Sequence, residues 1–189
     1  MGSGLYFGRD YYLRPHELPT QAIGATYSGL FAYAAISAPR QRVRFEEYDA
    51  IVKKKHEIKF GELVGLLTDI PELSSWWTGT LSVSDAPPGS HWIHWSRHLI
   101  WMPGMRFKIE DAGGGLITLH WVGHSKFGNN VTSTNEKPDW LKLTSGAALK
   151  FSPLQVVSET VEEERPVPRR ATEEDLANAS AETVPPPEE

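Results

Sequence analysis

Cysteine is absent from this chain of 189 residues, which excludes disulfide bonds, thiol catalysis and every zinc motif that uses cysteine. The sequence also lacks a run of about 18 to 20 apolar residues, the length that a membrane-spanning helix needs. Its first residues, MGSGLYFGRDYY, show neither the basic start nor the apolar stretch of a secretory signal. These absences predict an intracellular, cytoplasmic protein that is not secreted and has no transmembrane segment.

Catalytic motifs are missing as well. The sequence has no G-x-S-x-G elbow, Walker phosphate loop, H-E-x-x-H pair or paired acid motif, and Gly113-Gly114-Gly115 is more simply explained as a turn. We therefore predict a protein that is not an enzyme, needs no cofactor and takes no small-molecule substrate.

Charge divides the chain into two parts. The 24 acidic and 19 basic residues give a net charge of −5, but from Ser158 onward ten acidic and three basic residues give −7, which leaves +2 for the rest. The C-terminal part also has five prolines and no aromatic residue, so it cannot bury enough apolar surface to fold by itself. We predict a single domain over residues 1–157 and a disordered, acidic, proline-rich tail over residues 158–189.

One short element is predicted within the tail. Thr172, followed by Glu173, Glu174 and Asp175, is typical of a helix N-cap with an acidic first turn. Such a helix is marginal in isolation, because helices shorter than about 12 to 15 residues are not stable alone in water. The tail is thus either a solvated segment or a short partner-binding element. The residues proposed for partner binding are Leu176, Pro185, Pro186 and Pro187.

The second half of the domain has the alternation of antiparallel strands. Met105, Phe107 and Ile109 alternate with charged residues, a glycine-rich turn follows, and LITLHWV continues the pattern. The first half is mixed, because IGATYSGLFAYAAIS favours a strand whereas KFGELVGLLTDIPEL carries apolar residues at helical spacing and stops before Pro71. These patterns predict an α+β fold, mainly an antiparallel β-sheet meander with one or two packed helices.

The stretch HWIHWSRHLIWM holds three of the seven histidines and three of the seven tryptophans. As a helix it would gather His91, His94 and His98 on one face, as a zinc site requires. As a strand it would separate His94 from His98 by about 13 Å, too far for one metal ion. Flanking prolines and glycines and the β-favouring tryptophans predict a long strand with a bend near Ser96-Arg97.

A basic cluster is the clearest candidate for a binding surface. Three arginines alternate along a predicted strand, and three lysines follow within eleven residues. Such clusters attract the phosphates of RNA or of anionic lipids, and neighbouring acidic residues make a solvated edge the alternative. The predicted polyanion-binding residues are Arg40, Arg42, Arg44, Lys53, Lys54 and Lys55.

The N-terminal LYFGRDYYL is rich in aromatic residues. It fits an edge strand, an arm that docks on a neighbouring subunit, or a contribution to the core of its own chain. The residues proposed for self-association, on the second interpretation, are Leu5, Tyr6, Phe7, Tyr11 and Tyr12.

Several segments follow one another over about residues 26–122: the apolar and arginine-rich LFAYAAISAPRQRVRF, the helix-like EEYDAIVKKK, and a strand that opens with Gly79-Thr80-Leu81. This succession resembles that of the matrix proteins of rhabdoviruses and related negative-strand RNA viruses. The resemblance implies a homo-oligomeric structural protein of the virion that binds nucleoprotein-RNA or the anionic inner membrane surface through the basic cluster. The chain lacks the lysine-rich N-terminal segment and the Pro-Pro-x-Tyr motif of the animal members.

Two other classes of protein stay open. A β-sandwich or barrel module for a small ligand or glycan would stack its ligand on exposed tryptophans. The candidates for this platform are Trp76, Trp77, Trp92 and Trp95. A metal-dependent enzyme of cupin type would combine His94 with His120 or His124 from neighbouring strands, although cupins have His-x-His with a following glutamate and this chain has His-x-x-His.

Overall fold

The computed structural model describes residues 2–28, 31–36, 41–50, 55–69, 78–83, 92–96, 100–134, 139–156 and 168–179. The strands in these ranges are β1 (Gly2–Tyr6), β2 (Asp10–Pro15), β3 (Gly24–Ser28), β4 (Phe31–Ala35), β5 (Val43–Glu47), β6 (Glu57–Lys59), β7 (Leu63–Asp69), β8 (Thr78–Val83), β9 (Ile93–Ser96), β10 (Ile100–Trp101), β11 (Phe107–Gly113), β12 (Leu116–Trp121), β13 (Asn130–Ser133), β14 (Leu141–Thr144), β15 (Phe151–Gln155) and β16 (Arg169–Arg170). A 3-10 helix spans Pro103–Met105, and α1 spans Glu173–Ala179.

Six of the strands close into a barrel. β2 pairs with β5, β5 with β7, β7 with β11, β11 with β12 and β12 with β15, and β15 returns to pair with β2. Closure leaves these strands without a free edge. Three antiparallel pairs, β3 with β4, β8 with β9 and β13 with β14, extend from the C-terminal ends of β2, β7 and β12. We call these three pairs the hairpin cap.

A unit of two barrel strands and one hairpin occurs three times along the chain. β2, β7 and β12 begin at residues 10, 63 and 116, which are 53 residues apart. The cross-strand pairs obey the same repeat, and all their members but Pro153 are buried in the core. The first set of equivalent pairs is Tyr11 with Val43, Val64 with Phe107, and Ile117 with Phe151. The second set is Phe45 with Leu66, Ile109 with Leu119, and Pro153 with Leu13.

A separate two-stranded sheet of β1 and β6 lies at the end of the barrel away from the hairpin cap. Leu5, Phe7 and Ile58 are buried there in the same core as the barrel residues. The backbone N–H of Gly8 donates to the carbonyl of Phe45 at 2.9 Å, which ties this sheet to the barrel wall. The N-terminal segment therefore plugs the lower end of the barrel of its own chain.

The predicted α+β class is wrong, because the described residues form a nearly all-β structure around a closed barrel. The segment KFGELVGLLTDIPEL, for which helical spacing was predicted, contains the strand β7. Val64 and Leu66 point into the barrel, and Leu67 packs outside it in a second cluster with Trp101. A strand that is apolar on both faces reads as a nearly continuous apolar run, and periodicity does not separate such a run from a helix.

The stretch HWIHWSRHLIWM forms strands, as predicted. β9 covers Ile93–Ser96 and β10 covers Ile100–Trp101, and residues 97–99 between them lie outside the described residues. Ile93 and Trp95 belong to the core cluster, whereas His94 is on the opposite face of the strand. In β9 the two apolar side chains thus share one face and the histidine lies on the other.

The predicted disorder of the tail does not hold for residues 168–179, which form β16 and α1. The predicted cap is confirmed, because the backbone N–H of Asp175 donates to Oγ1 of Thr172 at 3.3 Å. The rest of the tail lies outside the described residues, as do Pro185, Pro186 and Pro187. No helix in the described part of the chain is long and apolar enough to cross a membrane.

Candidate functional site

The hairpin cap has an inner face on the core and an outer face turned away from it. The core residues of β4, β9 and β14 alternate along each strand, and they are Ala32, Ala34, Ile93, Trp95, Leu141 and Leu143. Tyr33 has the opposite parity in β4, and Trp92 and Trp140 have it beside β9 and β14. Three aromatic side chains therefore belong to the outer face.

These three aromatic residues occupy equivalent positions of the threefold repeat. Tyr33 pairs with His94, Trp92 bridges to Lys142, and Trp140 bridges to Ala35. Each pairing joins one hairpin to the next, so the three strands surround the threefold axis. We call Tyr33, Trp92 and Trp140 the aromatic triplet.

The ring of Trp140 contacts the rings of the other two members of the aromatic triplet. The centroid of the Trp140 ring lies 5.9 Å from that of Tyr33 and 5.6 Å from that of Trp92. The two indoles meet at 81°, so they form a corner with two walls. Tyr33 is 1% exposed beneath them, and its burial raises the pKa of the phenol above the ordinary value of 10.0. Trp92 and Trp140 are only half-buried and leave ring surface open to a ligand.

Trp140 is held from both sides by backbone hydrogen bonds. The N–H of Thr134 donates to the carbonyl of Trp140 at 3.0 Å, and the N–H of Ile36 donates to the carbonyl of Asp139 at 2.8 Å. Nε1 of Trp140 is buried and has no hydrogen-bond partner among the residues that the structure describes. A buried indole N–H is usually paired, and its burial keeps this donor away from the exposed ring surface.

Polar groups border the aromatic triplet. Lys142 is half-buried on the outer face of β14, next to Trp92 in the bridge between hairpins. The carboxylate of Asp139 is nearly buried, and Oγ1 of Thr134 donates to it at 3.4 Å. Lys142 thus adds a cation to the outer face beside Trp92, and a charged group beside aromatic rings is typical of sites for small polar ligands.

The structure places only part of the predicted basic cluster. Nε of Arg44 is 2.8 Å from Oδ1 of Asp10, and Nη1 of Arg42 is 3.7 Å from Oδ2 of the same carboxylate. Lys55 is exposed. The other three members, Arg40, Lys53 and Lys54, lie outside the described residues. Because Asp10 offsets charge on two of the arginines, polyanion binding by this cluster stays a prediction.

The aromatic N-terminal segment contributes mainly to the core of its own chain. Leu5, Phe7 and Tyr11 are all at most 3% exposed. Tyr6 and Tyr12 are half-buried, and the guanidinium of Arg9 lies 4.1 Å from the centroid of the Tyr6 ring. The burial of the first three side chains leaves Tyr6 and Tyr12 as the residues of this set that a second subunit could contact. In the tail, Leu176 is exposed on α1.

The histidines do not converge on a metal site in the described part of the chain, where no three His, Asp or Glu side chains come together. Nε2 of His120 lies 2.8 Å from Oγ1 of Thr118, and its Nδ1 lies 2.7 Å from Oδ1 of Asn130. Both ring nitrogens thus have protein partners. His91 and His98 lie outside the described residues.

The tryptophans proposed as a ligand platform divide into three groups. Trp95 is buried in the core and donates from Nε1 to the carbonyl of Gly24 at 3.0 Å, so it is not an exposed platform. Trp76 and Trp77 lie outside the described residues, and Trp92 belongs to the aromatic triplet. Tyr33 and Trp140 were not predicted from the sequence. They stand 59 residues before and 48 residues after Trp92, so the 53-residue spacing of β2, β7 and β12 does not reveal them.

Three repeats of a barrel strand, a hairpin and a second barrel strand define a β-trefoil. Solved structures share this fold. Water-soluble chlorophyll protein from Brassica oleracea var. Botrytis, with chlorophyll b, matches with a TM-score of 0.63 and 16% identity over 81% of this chain and 94% of that chain. Soybean trypsin inhibitor matches with a TM-score of 0.58 and 15% identity, over 80% and 94% of the two chains. A Bauhinia bauhinioides kallikrein inhibitor, in complex with human kallikrein 4, matches with a TM-score of 0.59 and 16% identity over 80% and 91%.

No family model matches the chain, and no curated protein matches its sequence. At these identities the solved structures show the fold alone. The three matches named here are two inhibitors and a pigment-binding protein, which agrees with the prediction of a non-enzymatic protein. The expected partners are corrected, because proteins of this fold are described with chlorophyll, trypsin or a kallikrein and not with viral ribonucleoprotein or a membrane. The description as a viral matrix protein is corrected with them.

Proposed function

We propose that this protein is a β-trefoil binding module that holds a sugar ring of a glycan in the corner between Trp92 and Trp140. A module that binds a small ligand or glycan was one of the alternatives that the sequence left open, and the outer face of the hairpin cap is where we place its site. It agrees with the binding roles of the structures that share the fold, among them a chlorophyll-binding protein.

The aromatic triplet is the observation that carries the proposal. A buried Tyr33 packs against Trp140, which contacts Trp92, and neither indole belongs to the core cluster of the barrel. Tryptophan combines a large apolar face with an N–H donor, which suits a ligand that is apolar on one side and polar at its edge. The C–H face of a pyranose ring and its rim of hydroxyl groups have this character.

The shape of the corner favours a sugar over a flat pigment. Because the two indoles meet at 81°, a wide planar macrocycle cannot stack on both rings. A single pyranose can lie on one ring while its edge touches the other. Lys142, half-buried on the outer face of β14 and bridged to Trp92, can donate from its ammonium group to hydroxyl oxygens of the sugar.

The test is binding of the full chain to an array of defined mono- and oligosaccharides, followed by titration of intrinsic tryptophan fluorescence with each sugar that binds. We expect Trp140→Ala to raise the Kd at least about tenfold, since loss of about 1.4 kcal/mol from a stacking contact has that effect. Tyr12→Ala, which removes a half-buried aromatic ring from the barrel wall, is the matched control and keeps the affinity.

Two outcomes would overturn the proposal. One is an array without any binding sugar while the chain binds a soluble chlorophyll derivative. The other is a sugar whose affinity falls equally in Trp140→Ala and Tyr12→Ala, since that result would reflect general destabilisation. Glycan stacking also predicts little dependence of the Kd on salt, because neither partner surface is a polyanion.

A further inference from the structure

Residues 168–179 fold back onto the barrel and form what we call the C-terminal latch. β16 pairs in parallel with β10, and Pro168 just before it is buried. Nε of Arg170 donates to Oδ1 of Asp49 at 3.2 Å, and its Nη2 donates to the carbonyl of Asp49 at 3.2 Å. The latch is thus attached by one short strand, one proline and one exposed arginine.

The latch runs beside an apolar cluster on the outer wall of the barrel. Trp101 of β10 is 1% exposed, and its ring centroid lies 5.4 Å from that of Tyr48. The latch contacts the barrel at two places, β10 and Asp49. Trp101 belongs to β10 and Tyr48 is next to Asp49, so both contacts lie beside this cluster. Release of the latch would uncover the strand edge of β10 next to a large aromatic surface.

Thr172 is hydrogen-bonded to a charged side chain within the latch. It is exposed, and its Oγ1 donates to Oδ2 of Asp175 at 2.8 Å. The two guanidinium nitrogens of Arg169 donate to the same carboxylate at 2.9 and 3.2 Å. The hydrogen bonds from Arg169, together with those from Thr172, hold the pKa of the Asp175 carboxyl well below its usual range. An ionised carboxylate that Arg169 also binds therefore contacts this hydroxyl.

The sequence around Thr172 has a charge pattern that protein kinases read. In RRATEED, arginines stand three and two residues before the threonine, and three acidic residues follow it. Kinases choose substrates by such charge patterns, with acidic groups that receive the arginines. The segment opens with little cost, because a seven-residue helix is marginal and its ion pairs are exposed.

We propose that Thr172 is a phosphorylation site and that its modification releases the C-terminal latch from β10. The γ-phosphoryl group of ATP is transferred to Oγ1 of Thr172, the bond to the β-phosphate breaks, ADP leaves, and the hydroxyl proton is released. The product carries nearly two negative charges and three acceptor oxygens. It repels the carboxylate of Asp175 and forms charge-assisted hydrogen bonds with Arg169 and Arg170. Arg170 is thereby drawn away from Asp49, and the attachment of β16 is lost.

The test uses the full chain with ATP and a purified Ser/Thr protein kinase that prefers arginines before its target. Peptide mass spectrometry locates the phosphoryl group, and amide hydrogen exchange follows the segment from Ile100 to Met102. We expect modification of Thr172 and about tenfold faster exchange across this segment, in line with loss of one exposed ion pair and a terminal strand contact. Thr172→Ala prevents both changes, whereas Thr144→Ala, an equal substitution on β14, permits both.

A second variant separates the site from its effect. Arg170→Ala removes the contact with Asp49 and should speed exchange across β10 without ATP. Failure of the kinase to modify Thr172 overturns the assignment of the site. Modified Thr172 with unchanged exchange across β10, while Arg170→Ala still speeds it, overturns the release of the latch. Sugar binding at the hairpin cap is unaffected in either case, so this inference and the proposed function fail independently.

Discussion

The inner wall of the barrel and the outer face of the hairpin cap follow the same threefold repeat, but they use it differently. At one barrel position all three repeats have leucine, and these residues are Leu13, Leu66 and Leu119. At one cap position the three repeats have different residues, namely Ala35, His94 and Lys142. Close packing keeps the same residue at this interior position, whereas the outer face is free to vary. The cap is therefore where this chain departs from its own symmetry and where a binding site can be built.

The largest loss of stability is expected from truncating one of the three equivalent leucines inside the barrel. Leu66→Ala should lower the free energy of unfolding by about 2 to 5 kcal/mol, because it removes buried methyl groups and leaves a cavity. Denaturant titration followed by circular dichroism measures this loss. Leu63→Ala is the matched control on the same strand, since Leu63 is 39% exposed, and it should cost less than about 1 kcal/mol. Equal losses in the two variants would contradict the assignment of the inner layer.

An intermediate loss of stability is expected at Gly65, where the outer wall of the barrel differs among the three repeats. Gly65 of β7 corresponds to Tyr12 and Thr118 in the other repeats, and only here does the ring of Trp101 occupy the space of a side chain. Gly65→Ala would bring its Cβ into contact with Trp101 and should cost about 1 to 3 kcal/mol through overpacking. Thermal unfolding of this variant and of Gly146→Ala, where the nearest atom to the new Cβ is 3.4 Å away, checks the difference. Unchanged stability of Gly65→Ala would show that Trp101 is not packed on β7.

The smallest effect is expected on the pH dependence of stability, for one tyrosine of the cap and one of the barrel. Burial raises the pKa of Tyr33 and of Tyr11 above 10.0, so both phenols ionise more readily in the unfolded chain. Their contribution to stability is complete below pH 10 and is lost as the pH rises above it. Tyr33→Phe and Tyr11→Phe should each reduce the loss of unfolding free energy between pH 8 and pH 11.

Tyr11→Phe should have a second effect, at neutral pH. The hydroxyl of Tyr11 accepts a hydrogen bond from the backbone N–H of Tyr6 at 2.9 Å, so Tyr11→Phe also costs about 1 kcal/mol at pH 7. Urea titrations at pH 7, 8 and 11 measure both the cost at neutral pH and the loss of unfolding free energy at alkaline pH. An alkaline loss in Tyr33→Phe as large as in the unsubstituted protein would mean that Tyr33 ionises in the folded state as it does in the unfolded chain.

Local patterns predicted many of the strands. Phe107 and Ile109 alternate with charged residues, and β11 and β12 follow where that alternation and the glycine turn place them. β7 was mistaken for a helix because both of its faces are covered by apolar side chains. The closed barrel was missed because its repeat is carried by few identical residues, and single leucines 53 positions apart form no visible motif.

The candidate site was less predictable than the fold. Trp92 was named among the exposed tryptophans, but Tyr33 and Trp140 were not, because each comes from a different repeat. Their proximity depends on bridges between β4, β9 and β14, which are long-range contacts that no local pattern encodes. The docking of residues 168–179 is similar, since it depends on a strand edge and an aspartate far away in sequence.

The pairing of β15 with β2 closes the barrel by joining Pro153 to Leu13, from the two ends of the domain. A ribosome must therefore release nearly the whole domain before its interior can be sealed from water. Contacts of such long sequence separation must overcome the entropy of closing a large loop, and they make folding slow. Until β15 arrives, β2 and β12 present open edges to other chains. The last barrel strand thus decides when the nascent protein stops being prone to aggregation.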